Sequence, residues 1–303
     1  MPINEVTPHA VTEQRLEQAL DDMSGRAFSR WHDMVWTEMP LRRGLRELGE
    51  ELADHLGART VSDPALEMPD SRTALLTAAE CAMGVLSLSC FPDGDFEIPL
   101  PLATETLSNQ DLHYEERYEP THPLTTARTW TDAFEWCVIS GLIGHKGRFI
   151  GPTLLRDYAP AIRDGVPYSE RESVSEPADL AEMDALCGYL DVLEDAYPYP
   201  APLAKPDAAH RTRTAQQLDA AGTLTPDQRL LRVLLDDDQT AFEQALHDRL
   251  VAHRENVGAD PAARTLLPVG AVTLAALAHT AHCWQLSVRS AYLPQALMSA
   301  PAQ

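Results

Sequence analysis

His279, His282 and Cys283 stand within five positions of one another, at the end of the stretch LPVGAVTLAALAHTAHCW (267–284). Imidazole and thiolate are zinc ligands, and bound zinc can activate water for hydrolysis. Successive residues on a helix turn by about 100°. His279 and Cys283, four apart, would share a face and could reach one ion, whereas His282 and Cys283 diverge. A zinc site needs further ligands, and no other compact His, Cys and Asp set in the chain has zinc-like spacing. The competing reading is packing. Val269 to Ala278 is apolar on nearly every side, and a helix apolar all round is buried. We expect a central packing helix, with the histidines at its end hydrogen-bonded or at the surface. A metal-assisted enzyme using His279 and Cys283 with a distant carboxylate is the alternative.

Other chemical templates are weaker. DLHYEERYEPTH (111–122) gathers His113, Glu115, Glu116, Glu119 and His122; these types suit acid–base work, but charged loops are ordinary. GLIGHKGRFIG (141–151) lacks the GxxxxGK[ST] order and no strand precedes it, so it reads as a bend between helices. Asp236, Asp237 and Asp238 read as a turn that places negative charge at a helix N-terminus. GxSxG, HExxH and the Rossmann fingerprint are all missing.

The elements that must carry these residues are helical. Ala and Leu dominate the apolar content and aromatics are 6 %, a composition that favours helix over strand. Leu16, Leu20 and Met23 open a helical period that Ala27 continues. Leu41, Leu45, Leu48, Leu52 and Leu56 make a second, with Gly57 as its stop. Helices are expected over 70–90, 129–144, 151–165, 176–197, 225–235 and 236–256, the 225–235 segment starting with Thr225 as cap and Pro226 at the first turn. Asp93-Gly94 is a turn signal, with a short strand after it. The predicted architecture is all-α: one multi-helix domain, 1–303, of stacked helical hairpins with one short β-hairpin near 90–100. A loop insertion spans 101–128, and a proline-rich seam lies at 198–206.

The net charge is −22, unevenly placed. Residues 207–303 hold 10 acids and 8 bases, leaving 36 acids and 16 bases in residues 1–206. Such a surface repels nucleic acid and anionic membrane and attracts a basic partner. The five cysteines form no CxxC and sit in apolar segments, as reduced thiols do. No basic-then-apolar leader opens the chain, and the apolar run near Val269–Ala278 is too short to span a bilayer. A cytoplasmic location is expected.

FEQALHDRLVAHRENVGAD (242–260), then LLPVGAVTLAALAHTAHCWQLSVRSAYLPQALM (266–298), resembles the bacterial immunity protein 49 family. Phe242, Ala245, Leu246, Leu250 and His253 fit its first helix. Leu267, Pro268, Gly270, Leu274, Ala275, Leu277 and Ala278 fit the second, and Tyr292, Leu293 and Pro294 the closing turn. The similarity covers residues 70–100 and 129–303. It implies an all-α protein that neutralises a cognate polymorphic toxin by binding, with no cofactor and no catalytic residue. The motif residues are mostly apolar and read as fold determinants. His279, His282 and Cys283 belong to none of them.

The toxin-binding candidates therefore come from charge. On the 176–197 helix, Asp179, Glu182, Asp191, Glu194 and Asp195 lie away from the Leu180–Met183–Cys187–Leu190 stripe. The loop adds Glu115, Glu116 and Glu119. A basic protein toxin is the expected partner, and no oligomeric state is assigned.

Overall fold

The computed structural model describes residues 5–37, 39–91, 94–109, 125–165, 174–190 and 203–298. The fold is all-α. Its helices are α1 (Glu13–Leu20), α2 (Met23–Trp36), α3 (Leu41–Ser62), α4 (Pro69–Cys90), α5 (Ala127–Ile139), α6 (Leu142–Pro152), α7 (Ala159–Asp164), α8 (Pro177–Cys187), α9 (Ala208–Ala220), α10 (Pro226–Leu235), α11 (Gln239–Asn256), α12 (Val269–Thr280) and α13 (Gln295–Met298). Consecutive layers run α3 on α4, α4 on α5, α5 on α8 and α8 on α9, while α12 packs on α5, α10, α11 and α13. One cluster of buried side chains extends from Val6 to Leu297.

The first helical period is broken. Asp22 takes a left-handed φ of 30° and its carboxylate accepts the Gly25 N–H, which ends α1 and starts α2. The second runs past Gly57 to Ser62. Gly57 does not stop α3. A Cβ there would lie 2.0 Å from the Ala263 carbonyl oxygen, so glycine lets a backbone cross the helix at contact distance.

Helix α4 starts with proline in its first turn and buries small residues along most of its length. Unlike the shorter run near Val269–Ala278, it is long and apolar enough by length and composition to cross a membrane. Here α3, α5 and a hairpin strand cover it. That hairpin is β2 (Glu97–Leu100) with β3 (Glu105–Ser108), antiparallel with Ile98 opposite Leu107. Its second strand lies inside the segment read as loop; residues 110–124 are outside the description. A second pair was not foreseen: β1 (Glu5–Val6) runs parallel to β4 (Arg289–Ser290). His9 secures it. Its backbone N–H donates to Tyr292 Oη (2.9 Å), and its ring bridges Tyr292 Oη (2.6 Å) and Thr265 Oγ1 (2.8 Å).

Gly141 adopts φ 77° and turns α5 into α6, as expected of a bend, and a π-helical segment over 153–158 then leads into α7. Helix α10 begins as predicted, with a full capping box: Thr225 Oγ1 accepts the Gln228 N–H and Gln228 Oε1 accepts the Thr225 N–H. Helix α9 has only Thr214, Ala215 and Leu218 buried, so no apolar stripe announces it. Of the 176–197 segment, α8 ends at Cys187, residues 191–197 lie outside the described residues, and Leu190 bridges to Leu203.

Two glycines on α3 separate packing from propensity. Gly57→Ala must displace backbone, and about 3 kcal/mol of stability should be lost. Gly49→Ala meets its nearest neighbour, Cys81 Cβ, at an ordinary 3.9 Å and should gain about 0.5–1 kcal/mol. Urea midpoints of the two variants that moved together would refute the close-approach account.

Candidate functional site

The densest cluster of chemistry-bearing side chains centres on Arg128, in the first turn of α5. Arg128, Asp132 and Glu135 share one face of that helix by their i, i+4, i+7 spacing. The guanidinium lies 2.8 Å from Asp132 and 3.6 Å from both Glu135 and Glu182. Glu182 comes from α8 and is 2 % exposed; Glu135 is 6 % exposed. Gln228 closes the group from α10. Its oxygen is held by the capping box, and its Nε2 donates to Asp179 (2.9 Å) and Glu182 (3.0 Å). The amide thus spends its acceptor and both donors in a fully buried position.

Beside it, Arg249 of α11 grips Asp227 through two bonds of 2.7 and 3.2 Å. Asp227 and Glu135 crowd Gly270, where a Cβ would lie 2.8 and 3.1 Å from their oxygens. Gly270 is in the first turn of α12, so two carboxylates face a helix N-terminus, where the dipole favours anions. Five helices, α5, α8, α10, α11 and α12, are joined by this network. Burial is the main influence on Glu135, whose carboxyl sits well above the usual range. Burial likewise pushes Glu182 up to about 7, with Arg128 and Gln228 opposing it only in part.

This corrects the expected acidic face of α8. Glu182 points inward, because α5, α9 and α10 all pack on α8 and leave it no wide solvent face. Asp179 is half-buried and bound to Gln228. Asp191, Glu194, Asp195, Glu115, Glu116 and Glu119 lie outside the described residues.

The His279–Cys283 group also resolves differently from a helical wheel. Helix α12 buries every residue from Gly270 to Ala278, as expected, but ends at Thr280. Cys283 takes φ 57°, and the Trp284 N–H donates back to the Ala278 carbonyl at 3.0 Å. The bond closes a loop one residue wider than the six-to-one bond of the common left-handed helix end. The three side chains then part. His279 is exposed, its Nδ1 donating to the Trp284 carbonyl at 3.1 Å. Cys283 is exposed and turns to Thr280. His282 is drawn inside, between Asp237 (2.9 Å) and the Tyr189 hydroxyl (2.9 Å). His279 and Cys283, the two ligands of the metal-site alternative, each bond to a different backbone carbonyl. Among the described residues no group of three His, Cys, Asp or Glu side chains is placed to hold a metal ion.

Carboxylate, imidazole and hydroxyl in series is also the order of a proton relay. Tyr189, however, is 0 % exposed, so a substrate cannot reach its hydroxyl. Burial lowers the His282 pKa, and Nδ1, facing a carboxylate, donates to Asp237. Lys205 (2.5 Å) and Arg211 (3.1 Å) hold the other Asp237 oxygen. Of the Asp236–Asp238 run, only Asp238 caps α11, accepting from Thr240 and Ala241. Asp236 pairs with Arg232. The polar centres are thus clamps between helices. Sequence reasoning missed Arg128, Glu135 and Gln228 as members of one group. The T-x-x-Q box and three like-spaced charges on an otherwise apolar helix were the available signals.

The family profile for Immunity protein 49 matches residues 63–297. The chain belongs to the Immunity protein 49 family. No curated protein and no solved structure matches it. The matched span contains both clamps and every motif residue from Phe242 to Pro294, while α1, α2 and α3 precede it. In this member the motif residues are fold determinants. His253 donates from Nε2 to the Thr265 carbonyl (2.7 Å), Tyr292 anchors His9, and Gly270 makes room for the two carboxylates.

Two variants test the clamps. An acid whose folded pKa lies above its unfolded value, here 4.5 rising to about 7, holds its proton better in the folded chain. Its stabilising contribution is complete below pH 4.5 and is lost as the pH rises through 7. Glu182→Gln should therefore remove a pH-dependent loss on the order of 3 kcal/mol; thermal midpoints of variant and parent that run parallel from pH 4.5 to 8 would contradict the burial argument. Cys283→Gly should relieve the left-handed strain and stabilise by about 1 kcal/mol, read from the denaturation midpoint against a neutral Cys283→Ala.

Proposed function

We propose that this protein is a cytoplasmic immunity protein that neutralises a cognate polymorphic toxin by binding it and covering its working surface, without catalysis or cofactor. The observation that carries the reading is the Immunity protein 49 match over residues 63–297. The fate of the chemical residues supports it. His282, Glu135 and Glu182 are buried in clamps, and His279 and Cys283 diverge.

The partner is a basic toxin domain. Residues 1–206 carry 36 acids against 16 bases, and a field of that sign speeds encounter with a cationic surface and disfavours other anions. A toxin that acts on nucleic acid has such a surface. Charge reversal at Glu182 cannot probe this contact, because a lysine there would enter the buried network. Steering rests on the surplus of carboxylates, with Asp191, Glu194, Asp195, Glu115, Glu116 and Glu119 among the proposed contributors.

Co-expression with the toxin encoded beside the gene should restore growth, and the purified pair should form a stoichiometric complex. Association should slow at least roughly tenfold between about 0.05 and 0.5 M salt. Neither rescue nor complex formation would sink the proposal, and association indifferent to salt would remove the electrostatic part.

A further inference from the structure

Helix α2 is apolar on two sides. Met23, Ala27 and Met34 face the core. Phe28 and Trp36 lie on the sides turned away from that face, while Trp31 and Val35 are half-buried and pack against the core. Phe28 is 46 % exposed and Trp36 71 %. Among the described residues α2 alone carries two exposed aromatic side chains. The group is held in place. Phe28 and Trp31 rings pack at 5.3 Å, and the Trp31 indole N–H donates to the Thr106 carbonyl of β3 at 3.2 Å.

Acids stand along this helix and beside it. Arg26 and Arg30, the two arginines of α2, are turned to Glu47 and Glu51 of α3. Asp21 and Asp22 stand at the helix start and Asp33 within it, and Glu105 neighbours the Thr106 that Trp31 grips. We propose that this aromatic face of α2 is the surface on which a basic toxin domain docks, Phe28 and Trp36 entering its apolar pockets and the surrounding acids meeting its cationic rim.

The inference rests on the immunity reading above and deepens it. Rigid aromatic side chains on a helix lose little freedom on binding and are the side chains that dominate interface energies. A second copy of this chain is a poor occupant, because each copy carries −22 and would set like charges around the same aromatic centre. Position in the chain agrees. The face precedes residue 63, where the family match begins. A fold shared by a family must tell its own partner from others through parts that are not shared.

The test uses the full chain and the toxin domain encoded beside its gene, inactivated by mutation. Phe28→Ser with Trp36→Ser removes two side chains from the surface, so the far-ultraviolet circular dichroism should not change and the thermal midpoint should fall only modestly, with the loss of the Phe28–Trp31 contact. The dissociation constant should rise at least 30-fold. Asp21→Lys with Glu105→Lys should slow association several-fold and flatten its salt dependence. Tryptophan emission should shift to shorter wavelength in the complex, and the shift should shrink in Trp36→Phe. A parent chain that fails to bind the toxin domain overturns the immunity reading and this one with it. A parent that binds, with the serine variant binding equally well, overturns this inference alone. Self-association abolished by the serine pair, with toxin binding intact, would assign the face to a second copy and also overturn it.

Discussion

Carboxylates inside a helical core are the constraint on which the remaining packing depends. Glu135 and Glu182 are almost free of water, and Arg128 is the cation that stands between them. An uncompensated buried charge costs several kcal/mol, so helices α5, α8 and α10 must arrive at one relative placement for this group to be tolerable. Apolar contacts alone would accept several. The network therefore specifies the arrangement more than it stabilises it, and part of the charge is relieved by proton uptake at Glu182.

A second centre does the same work at the other end of α12. His282, Asp237, Tyr189, Lys205 and Arg211 tie the end of α12 to the α10–α11 turn and to the residues after α8. With Gly270 admitting two carboxylates at its start and the left-handed turn at Cys283 ending it, α12 is secured at both termini by polar groups and along its length by apolar ones. A helix so engaged is a scaffold. The docking face proposed on α2 lies outside both clamps.

Periodicity was enough for α4, α10, α11 and the buried middle of α12, because each depends on its own residues: a proline, threonine or aspartate start, and an apolar pattern that local geometry converts into a face. It failed where the deciding partner is distant. Helix α9 has three buried residues and needs α8 and α10 to justify it. Strand β1 pairs with a segment 284 residues away. Gly57 looks like a stop until Ala263 crosses it.

Composition and pattern determined on their own that this chain is helical, acidic and built around an apolar segment near its carboxyl end, and the ordered motif pointed to its family. Tertiary structure decided what each polar residue is for. The α8 pattern turned Glu182 outward, and three neighbouring helices turned it in. The helical wheel brought His279 to Cys283, and one left-handed residue separated them. Helix formation is a local free-energy balance that a sequence window contains, whereas the protonation, burial and partners of a charged group depend on what the whole chain places around it.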